Sequence, residues 1–190
     1  YRVLTALRLP DGDQFASRLE FDLAAGGRQD IFLQLRTCQP CDLIALRDLP
    51  LLQSINAKAR TVVCTTLTTF DEELCRVLEP NVCSTRKRFE MLRTMHEAGI
   101  ATGVWLCPIL PFLNDTEENL RGLLGYCFDA GVSVIVNFSM GVTLRDGDRQ
   151  YFYRKLDEHF PGMKERYIRA FGSRYSCPSP RHRELTRILR

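Results

Sequence analysis

The sequence lacks the features of a membrane-spanning, disordered or strongly basic protein. No apolar run approaches the ~20 residues that a bilayer-spanning helix needs. Neither sign of charge dominates, because the chain has 26 basic and 23 acidic side chains and a net charge of only +3. That balance is too mild for a general nucleic-acid binder. With 45% hydrophobic and 26% charged residues over 190 positions, the composition is that of one soluble globular domain.

Common catalytic motifs are missing as well. The chain contains no G-x-S-x-G, H-E-x-x-H, G-x-x-x-x-G-K-[ST] or G-x-G-x-x-G. Its three histidines (His96, His159 and His182) lie far apart. Motif and spacing alone therefore predict no nucleophile–base pair, zinc protease site or phosphate-binding loop.

A secretory leader is also missing, because the chain opens Tyr-Arg-Val without a charged and then apolar stretch. It does not begin with Met, and we expect further residues upstream. The eight cysteines lie mostly inside apolar segments, at positions 38, 41, 64, 75, 83, 107, 127 and 177. This usage predicts a reducing, cytoplasmic environment with mostly buried free thiols.

What is present is an alternation of short apolar runs and helical patterns. Residues 61–67, 100–109 and 132–138 predict buried strands, and 31–36 predicts a fourth. Starts near 101 and 132 give the spacing of a strand plus a crossover helix. Because these runs lack period-2 alternation, we expect a parallel sheet covered on both faces. The predicted fold class is α/β.

Capping signals place the helices between the strands. Thr69 with Glu72 predicts one helix start, Ser84 a second, and Asp115 with Glu118 a third. The second helix should bury Phe89, Leu92 and Met95 on one face and end at Gly99, and the third should end at Gly131. After residue 145 the pattern predicts helices only.

Polar residues follow the predicted strands, where parallel α/β folds place their sites. Thr65 and Thr66 close one strand, and Asn114 and Asp115 stand before a helix N-terminus. Their hydroxyl and amide groups could donate to a carboxylate or a ribose. The competing interpretation is that the threonines are β-formers and that Asn114 and Asp115 only cap a helix.

Cys38-Gln-Pro-Cys41 is the one close cysteine pair, and this spacing suits a metal ligand pair or a redox dithiol. A structural zinc site needs two more ligands, and no second C-x-x-C or H-x₃₋₅-H is present. Two ordinary loop cysteines are the alternative.

Several segments between 42 and 180 match one family in their residues and in their order along the chain. They include Leu78-Glu-Pro80, Pro108-Ile-Leu-Pro-Phe-Leu-Asn-Asp115, Gly141-Val-Thr-Leu-Arg145 and Arg174-Tyr-Ser-Cys-Pro178. Together they resemble the radical S-adenosylmethionine superfamily, in its spore photoproduct lyase-like branch. The resemblance covers about three-quarters of the chain.

The resemblance implies a fold and a cofactor set. The fold is a partial parallel β/α barrel that holds a [4Fe–4S] cluster and S-adenosylmethionine at the strand ends. The family's chemistry is reductive cleavage of the sulfonium to a 5′-deoxyadenosyl radical, which abstracts hydrogen from a substrate that the sequence does not name. In this interpretation Thr65, Thr66, Pro108 and Asn114 line the S-adenosylmethionine pocket.

The chain departs from the family at the cluster motif, because C-x-x-x-C-x-x-C is absent. Only Cys38 and Cys41 have its final spacing, and Gln34 stands where the first ligand should be. Three thiolates are needed to hold three irons and leave the fourth open. We therefore expect no stable cluster on this chain alone and keep the two cysteines as the metal candidates. The chain is then either a C-terminal portion of such an enzyme or a diverged member.

The predicted organisation is a single domain over 1–190, in three parts. Residues 1–37 are unassigned, 38–145 form the barrel portion as a half-barrel remnant, and 146–190 form a helical C-terminal extension. Since a half-barrel exposes an edge strand, we expect oligomerisation, coverage by residues 1–30, or a missing N-terminal half.

The alternative function is a non-catalytic α/β binding module for nucleic acid. It depends on the arginine-rich tail, with Tyr167 and Tyr175 available to stack on bases. The competing interpretation is a solvated helix face. The tail arginines are Arg166, Arg169, Arg174, Arg181, Arg183, Arg187 and Arg190.

Overall fold

The structure is a computed structural model that describes the backbone of residues 31–34 and the chain from 44 to 189. Along the chain the described elements are β1 (Ile31–Gln34), α1 (Ile44–Arg47), α2 (Leu49–Asn56), β2 (Thr61–Thr66), α3 (Glu72–Leu78), α4 (Thr85–Glu97), β3 (Ala101–Trp105), α5 (Glu117–Asp129), β4 (Val134–Val136), β5 (Gly141–Thr143), α6 (Asp148–His159), α7 (Met163–Phe171), β6 (Ser176–Pro178) and α8 (His182–Ile188). None of these helices has the length and apolar character to cross a bilayer.

The first four strands form one parallel sheet in the order β1-β2-β3-β4. Its register pairs Thr66 with Trp105 and Gly103 with Val134. Parallel neighbours joined through helices confirm the predicted α/β class and the position of each strand. The sheet is open, with β1 and β4 as the outer strands of its described part.

One face of this sheet packs on helices and carries the main core. Val63 and Val104 contribute from the strands, and the buried stripe of α4 includes Phe89, Leu92 and Met95 as the sequence predicts. Leu120 and Leu123 of α5 belong to the same cluster, which also contains Leu185 of α8. Burying such side chains contributes about 1.5–3 kcal/mol each.

The other face is covered by no described element. We call it the open face, and it comprises Cys64, Thr66, Gly103, Trp105, Val134 and Val136. Val134 is 44% exposed, and Trp105 and Thr66 are half-buried. Gly103 is tightly flanked, because a Cβ there would lie 2.7 Å from Cys64 Sγ and 2.9 Å from Val134 Cγ1. The three residues therefore form one row across the strands.

Two helix caps differ from their prediction. Ser84 caps α4 as expected, by accepting from the Lys87 N–H. However, Asp71 caps α3 in place of Thr69, and Thr116 caps α5 in place of Asp115. The reason is that the Thr69 hydroxyl and the Asp115 carboxylate take part in tertiary hydrogen bonds, which leaves the next polar residue to cap.

Residues 141–189, which we call the C-terminal region, contain strands as well as helices. β5 pairs antiparallel with β6, so the prediction of helices only after residue 145, and with it a purely helical extension, is wrong. The strands are three residues each and lie on either side of α6 and α7, so no local pattern reveals them. The helices over 148–159 and 163–171 confirm the prediction.

A second apolar cluster holds the C-terminal region together. It contains Leu144, Leu156, Tyr167, Phe171 and Cys177. The rings interlock, with Tyr167 and Phe171 centroids 5.5 Å apart. Such aromatic pairs add about 0.5–1.5 kcal/mol beyond their buried area.

Candidate functional site

The carboxyl ends of β2, β3 and β4 lie at one edge of the sheet, and we call this edge the rim. Thr65 and Thr66 both reach it, half-buried. Strand alternation puts Thr65 on the helix-covered side with Val63, whereas Thr66 lies on the open face with its register partner Trp105. Among the described residues, neither threonine hydroxyl has a hydrogen-bond partner. Thr66 is thus the threonine of the pair on the side that no described element covers.

Asn114 lies under the rim and is 2% exposed. Its Nδ2 donates to the Thr68 carbonyl (3.0 Å) and the Thr69 hydroxyl (3.1 Å), and its Oδ1 accepts from Leu110 N–H (2.5 Å). Both amide hydrogens are used inside the protein. The side chain therefore braces two rim loops and has little left to offer a ligand.

Asn119 continues this bracing from α5. Its Nδ2 donates to the carbonyls of Thr68 (2.9 Å) and Asn114 (2.8 Å), while Oδ1 accepts from Phe70 N–H (2.6 Å). Buried amides with every group satisfied specify a single loop conformation. The segment after β2 is consequently fixed before any ligand arrives.

An ion pair between the buried Arg88 and the half-buried Glu79 holds the end of β2. Arg88 of α4 is 7% exposed and donates to Glu79 Oε2 at 2.9 Å and to the Thr66 carbonyl at 2.7 Å. Glu79 Oε1 in turn accepts from the Thr68 hydroxyl at 2.7 Å. The pair therefore fixes both ends of the Thr66–Thr68 segment.

Sequence reasoning missed this pair, although a signal was present. Thr85, Arg88, Leu92 and Met95 follow helical spacing on the buried side of α4, so an arginine stands inside an apolar stripe. A charge at such a position requires a partner, because an unpaired buried charge is costly.

The loop after β3 carries Pro108, which is exposed and follows a cis peptide bond at Cys107. Further along, Asp115 is 5% exposed and accepts from Phe112 N–H (2.7 Å) and from the Ser179 hydroxyl (2.5 Å). The Tyr167 hydroxyl donates to the Pro111 carbonyl at 2.7 Å. The C-terminal region thus shapes the loop that carries Pro108.

Phe112 in that loop has φ = 66°, the left-handed region that non-glycine residues seldom adopt. Its ring is held from two sides, by the Arg166 guanidinium 4.0 Å from the ring centroid and by the Tyr167 ring at 5.6 Å. These contacts stabilise a backbone conformation that costs of order 1 kcal/mol or more.

Metal ligands do not gather in the part of the chain that the structure describes, since no three His, Cys, Asp or Glu side chains there stand close enough to hold an ion. Burial raises the pKa of the Cys64 and Cys107 thiols, so both are protonated at neutral pH and are poor ligands. Cys38 and Cys41 lie outside the described residues.

The arginine-rich tail is less available than the sequence indicates. Tyr167 is fully buried, so the expectation that it stacks on bases is wrong, and burial raises its pKa.

Some of the tail arginines are already engaged within the protein. Arg174 donates to the Ala170 and Phe171 carbonyls, and Arg181 pairs with Glu184. Tyr175 is 53% exposed. Arg183 and Arg187, one turn apart on α8, have no ion-pair partner among the described residues, and Arg190 lies outside them.

Comparison with known proteins finds relatives without an assigned activity. Uncharacterized proteins of Mycobacterium bovis and Mycobacterium tuberculosis are each 30% identical to the chain over 141 residues, which is 74% of this chain and 41% of theirs. An uncharacterized protein of Acidianus two-tailed virus is 27% identical over 100 residues, 51% of this chain and 33% of its own. The match thus spans less than half the length of each relative. No protein-family model matches, and no solved structure gives a significant match.

Proposed function

We propose that the rim binds S-adenosylmethionine and that the chain is the β/α barrel portion of a radical S-adenosylmethionine protein. The observation that carries the proposal is the pairing of Thr66 and Trp105 at the carboxyl ends of adjacent parallel strands on the open face. A free hydroxyl beside an indole ring suits this ligand. The hydroxyl can donate to a ribose or carboxylate oxygen, and the indole attracts the sulfonium cation.

The remaining residues of the predicted pocket have separate roles in this proposal. Pro108 contributes exposed apolar surface on the neighbouring loop. Asn114 and the Arg88–Glu79 pair keep the rim in place without contacting the ligand, and Thr65 supports the strand from the helix-covered side. Rigid support of this kind reduces the entropy that binding costs.

The second cofactor of the family does not fit the described residues. A [4Fe–4S] cluster needs three thiolates close together, and the described cysteines form no such group. We therefore assign no radical step to this chain. Its proposed contribution is to bind and orient S-adenosylmethionine, and the substrate of the whole protein stays unassigned.

Titration calorimetry tests the proposal, with S-adenosylhomocysteine as the comparison ligand. The two ligands differ by the methyl group that makes the sulfur cationic, so we expect S-adenosylmethionine to bind more tightly. Trp105 is the single tryptophan of the chain, and its emission should change on binding. Absence of both heat and fluorescence change with S-adenosylmethionine would refute the proposal.

A matched pair of variants localises the site. Thr66→Val removes the rim hydroxyl and should weaken binding about tenfold, the effect of one hydrogen bond of ~1.4 kcal/mol. Thr94→Val makes the same change on α4, where the hydroxyl donates to the Glu90 carbonyl, and should leave binding unchanged. Equal affinities for the two variants would place the ligand elsewhere.

A second candidate is nucleic-acid binding by α8. Arg183 and Arg187 are exposed, have no ion-pair or hydrogen-bond partner in the described part of the chain, and line a shallow cleft with His182 and Thr186. Two phosphate contacts predict weak binding whose affinity falls with salt. Filter binding of single-stranded and duplex DNA at two salt concentrations decides, because affinity without a salt dependence excludes this mode.

A further inference from the structure

Two side chains just beyond β4 present groups to solvent at the rim, namely the amide oxygen of Asn137 and the ring of Phe138. Asn137 is half-buried, and its Nδ2 donates to the Leu106 carbonyl at 2.5 Å and lies 3.9 Å from Met140 Sδ. No described residue donates a hydrogen bond to its Oδ1, and this oxygen is not buried. The end of β4 therefore has an unused hydrogen-bond acceptor.

The contact with Leu106 fixes which end of the Asn137 amide is available. If the amide were turned over, its oxygen would meet the Leu106 carbonyl oxygen, and two acceptors would face each other. The nitrogen is thus the anchored end and the oxygen is the available one. A ligand group that binds there must be a donor, such as an N–H.

Phe138 adds a flat surface beside this acceptor. Its side chain is 77% exposed, and its ring centroid lies 5.5 Å from that of Trp105 with an angle of 48° between the rings. An exposed ring of this kind can stack on a nucleobase. A flat heterocycle with an amino group, such as adenine, satisfies both Phe138 and the Asn137 oxygen.

We propose that Asn137 and Phe138 bind the adenine of S-adenosylmethionine, and that they set the direction in which this ligand lies across the strand ends. The inference rests on the proposed function. The adenine amino group donates to Asn137 Oδ1, and the base stacks on Phe138. The sulfonium then lies at Trp105, and the methionine carboxylate accepts from the Thr66 hydroxyl.

The order of these side chains across the sheet agrees with the order of groups in the ligand. Thr66, Trp105 and Val136 are register partners on three consecutive strands, which are spaced about 4.8 Å apart. The sulfonium joins adenosine to the methionine portion, so it belongs at the middle strand. The reverse direction would bring the base to β2, which contains no aromatic residue.

A pair of ligands that differ only in the base tests the role of Asn137. S-inosylhomocysteine has a carbonyl oxygen where S-adenosylhomocysteine has the amino group. By titration calorimetry, the wild type should prefer the adenine ligand about tenfold or more, the effect of one hydrogen bond.

A matched pair of asparagine variants should separate this residue from others. Asn137→Leu should reduce the preference for adenine to about twofold or less. Asn56→Leu removes an amide that also donates to a backbone carbonyl (Gly99, 3.1 Å), at the opposite edge of the sheet, and should keep the full preference. Because the readout is a ratio of two ligands on one variant, a general loss of affinity or stability does not imitate the result.

Phe138→Ala should act differently, since stacking does not depend on the amino group. It should weaken binding of both homocysteine ligands alike, by about tenfold. Phe128→Ala, on α5, removes a ring that is 87% exposed and should change neither affinity.

Decarboxylated S-adenosylmethionine tests the other end of the ligand, because it keeps the adenine and the sulfonium and lacks the carboxylate. Thr66→Val should weaken binding of S-adenosylmethionine and leave the affinity for the decarboxylated ligand unchanged. Asn137→Leu should weaken both.

Three results would overturn the inference and leave the proposed function intact. They are a preference for adenine that survives in Asn137→Leu, equal affinities of Phe138→Ala and Phe128→Ala, and an equal loss of both sulfonium ligands in Thr66→Val. A wild-type chain that binds no S-adenosylmethionine would overturn the proposed function and this inference together.

Discussion

The region from 44 to 140, which we call the β/α region, and the C-terminal region are held together in different ways. The β/α region has a large aliphatic core between the sheet and its helices, and its buried polar groups are concentrated at the rim. The C-terminal region has a small cluster that combines aliphatic and aromatic side chains, supplemented by side chains that hydrogen-bond to backbone carbonyls. The polar contacts of the β/α region thus fix the loops at the rim. Those of the C-terminal region supply stability where the apolar core is small.

The two regions meet through few polar contacts. Asp115 and Ser179 form one of them, and the Tyr167 hydroxyl on the Pro111 carbonyl is another. Both end on the loop that follows β3. The C-terminal region therefore acts on the proposed site through this loop.

The largest effect should come from separating the Arg88–Glu79 ion pair of the β/α region. Arg88→Met leaves Glu79 without its cation and should lower the free energy of unfolding by about 3 kcal/mol, measured by urea denaturation. The double variant Arg88→Met with Glu79→Leu removes both charges and should recover most of the loss. If the double variant is no more stable than the single one, the pair does not act as a unit.

The next largest effect is a loss of stability at alkaline pH, and its origin is again in the β/α region. Burial raises the pKa of the Cys127 thiol to about 11 from an ordinary value of 9.0, so the unfolded chain ionises first as pH rises. The stability from this group is complete below about pH 9 and is lost as pH approaches 11, a difference of about 2–3 kcal/mol. Cys127→Ala should therefore lose less stability than the wild type between pH 8 and 11, by chemical denaturation.

Cys177 provides the comparison in the C-terminal region. Burial raises the pKa of this thiol too, but Arg149 and Arg174 oppose the rise by favouring the thiolate. The alkaline loss that Cys177→Ala relieves should therefore be smaller than that relieved by Cys127→Ala. Equal losses would mean that the arginines do not influence this thiol.

A third test concerns the carbonyls of the C-terminal region. The Arg149 guanidinium donates to the backbone carbonyls of Leu144 (3.1 Å), Gly172 (3.2 Å), Ser173 (3.1 Å) and Arg174 (2.7 Å). Arg149→Leu should cost about 2 kcal/mol, since the site is partly exposed. Hydrogen exchange should accelerate in β5 and β6 and not in β2 and β3. Acceleration in both sheets would show that the two regions unfold as one.

The smallest effect should come from the link between the regions. Ser179→Ala removes the hydrogen bond to Asp115, which keeps the Phe112 N–H, and the one that the Ser179 hydroxyl accepts from the Arg181 N–H. The variant should cost about 1–2 kcal/mol by thermal denaturation. Ser173→Ala, at an exposed position of the same region, should stay within about 0.5 kcal/mol of wild type. A larger loss at Ser173 than at Ser179 would contradict the assigned link.

The sequence allowed the β/α region to be predicted well, because its signals are local. The run at 61–67, the stripe of Phe89, Leu92 and Met95, and the glycine ends of α4 and α5 each lie within a few residues. The β5–β6 pair escaped because its partners lie on either side of two helices. Asn114 was predicted at the rim, but its partners at Thr68 and Thr69 are about 45 residues away, so sequence could not separate a bracing role from a binding one.

The hydrogen bond between Asp115 and Ser179 also bears on the timing of synthesis. Its partners are 64 residues apart, so at ~5–20 residues per second the ribosome delivers Ser179 roughly 3–13 s after Asp115. During that interval β2, β3 and the helices that cover them can already pack, since most of their core partners precede residue 140, whereas Leu185 of α8 joins the core later. The loop that carries Pro108 must wait. In the nascent chain the sheet can therefore fold before this loop takes its final conformation, and the rim is completed last.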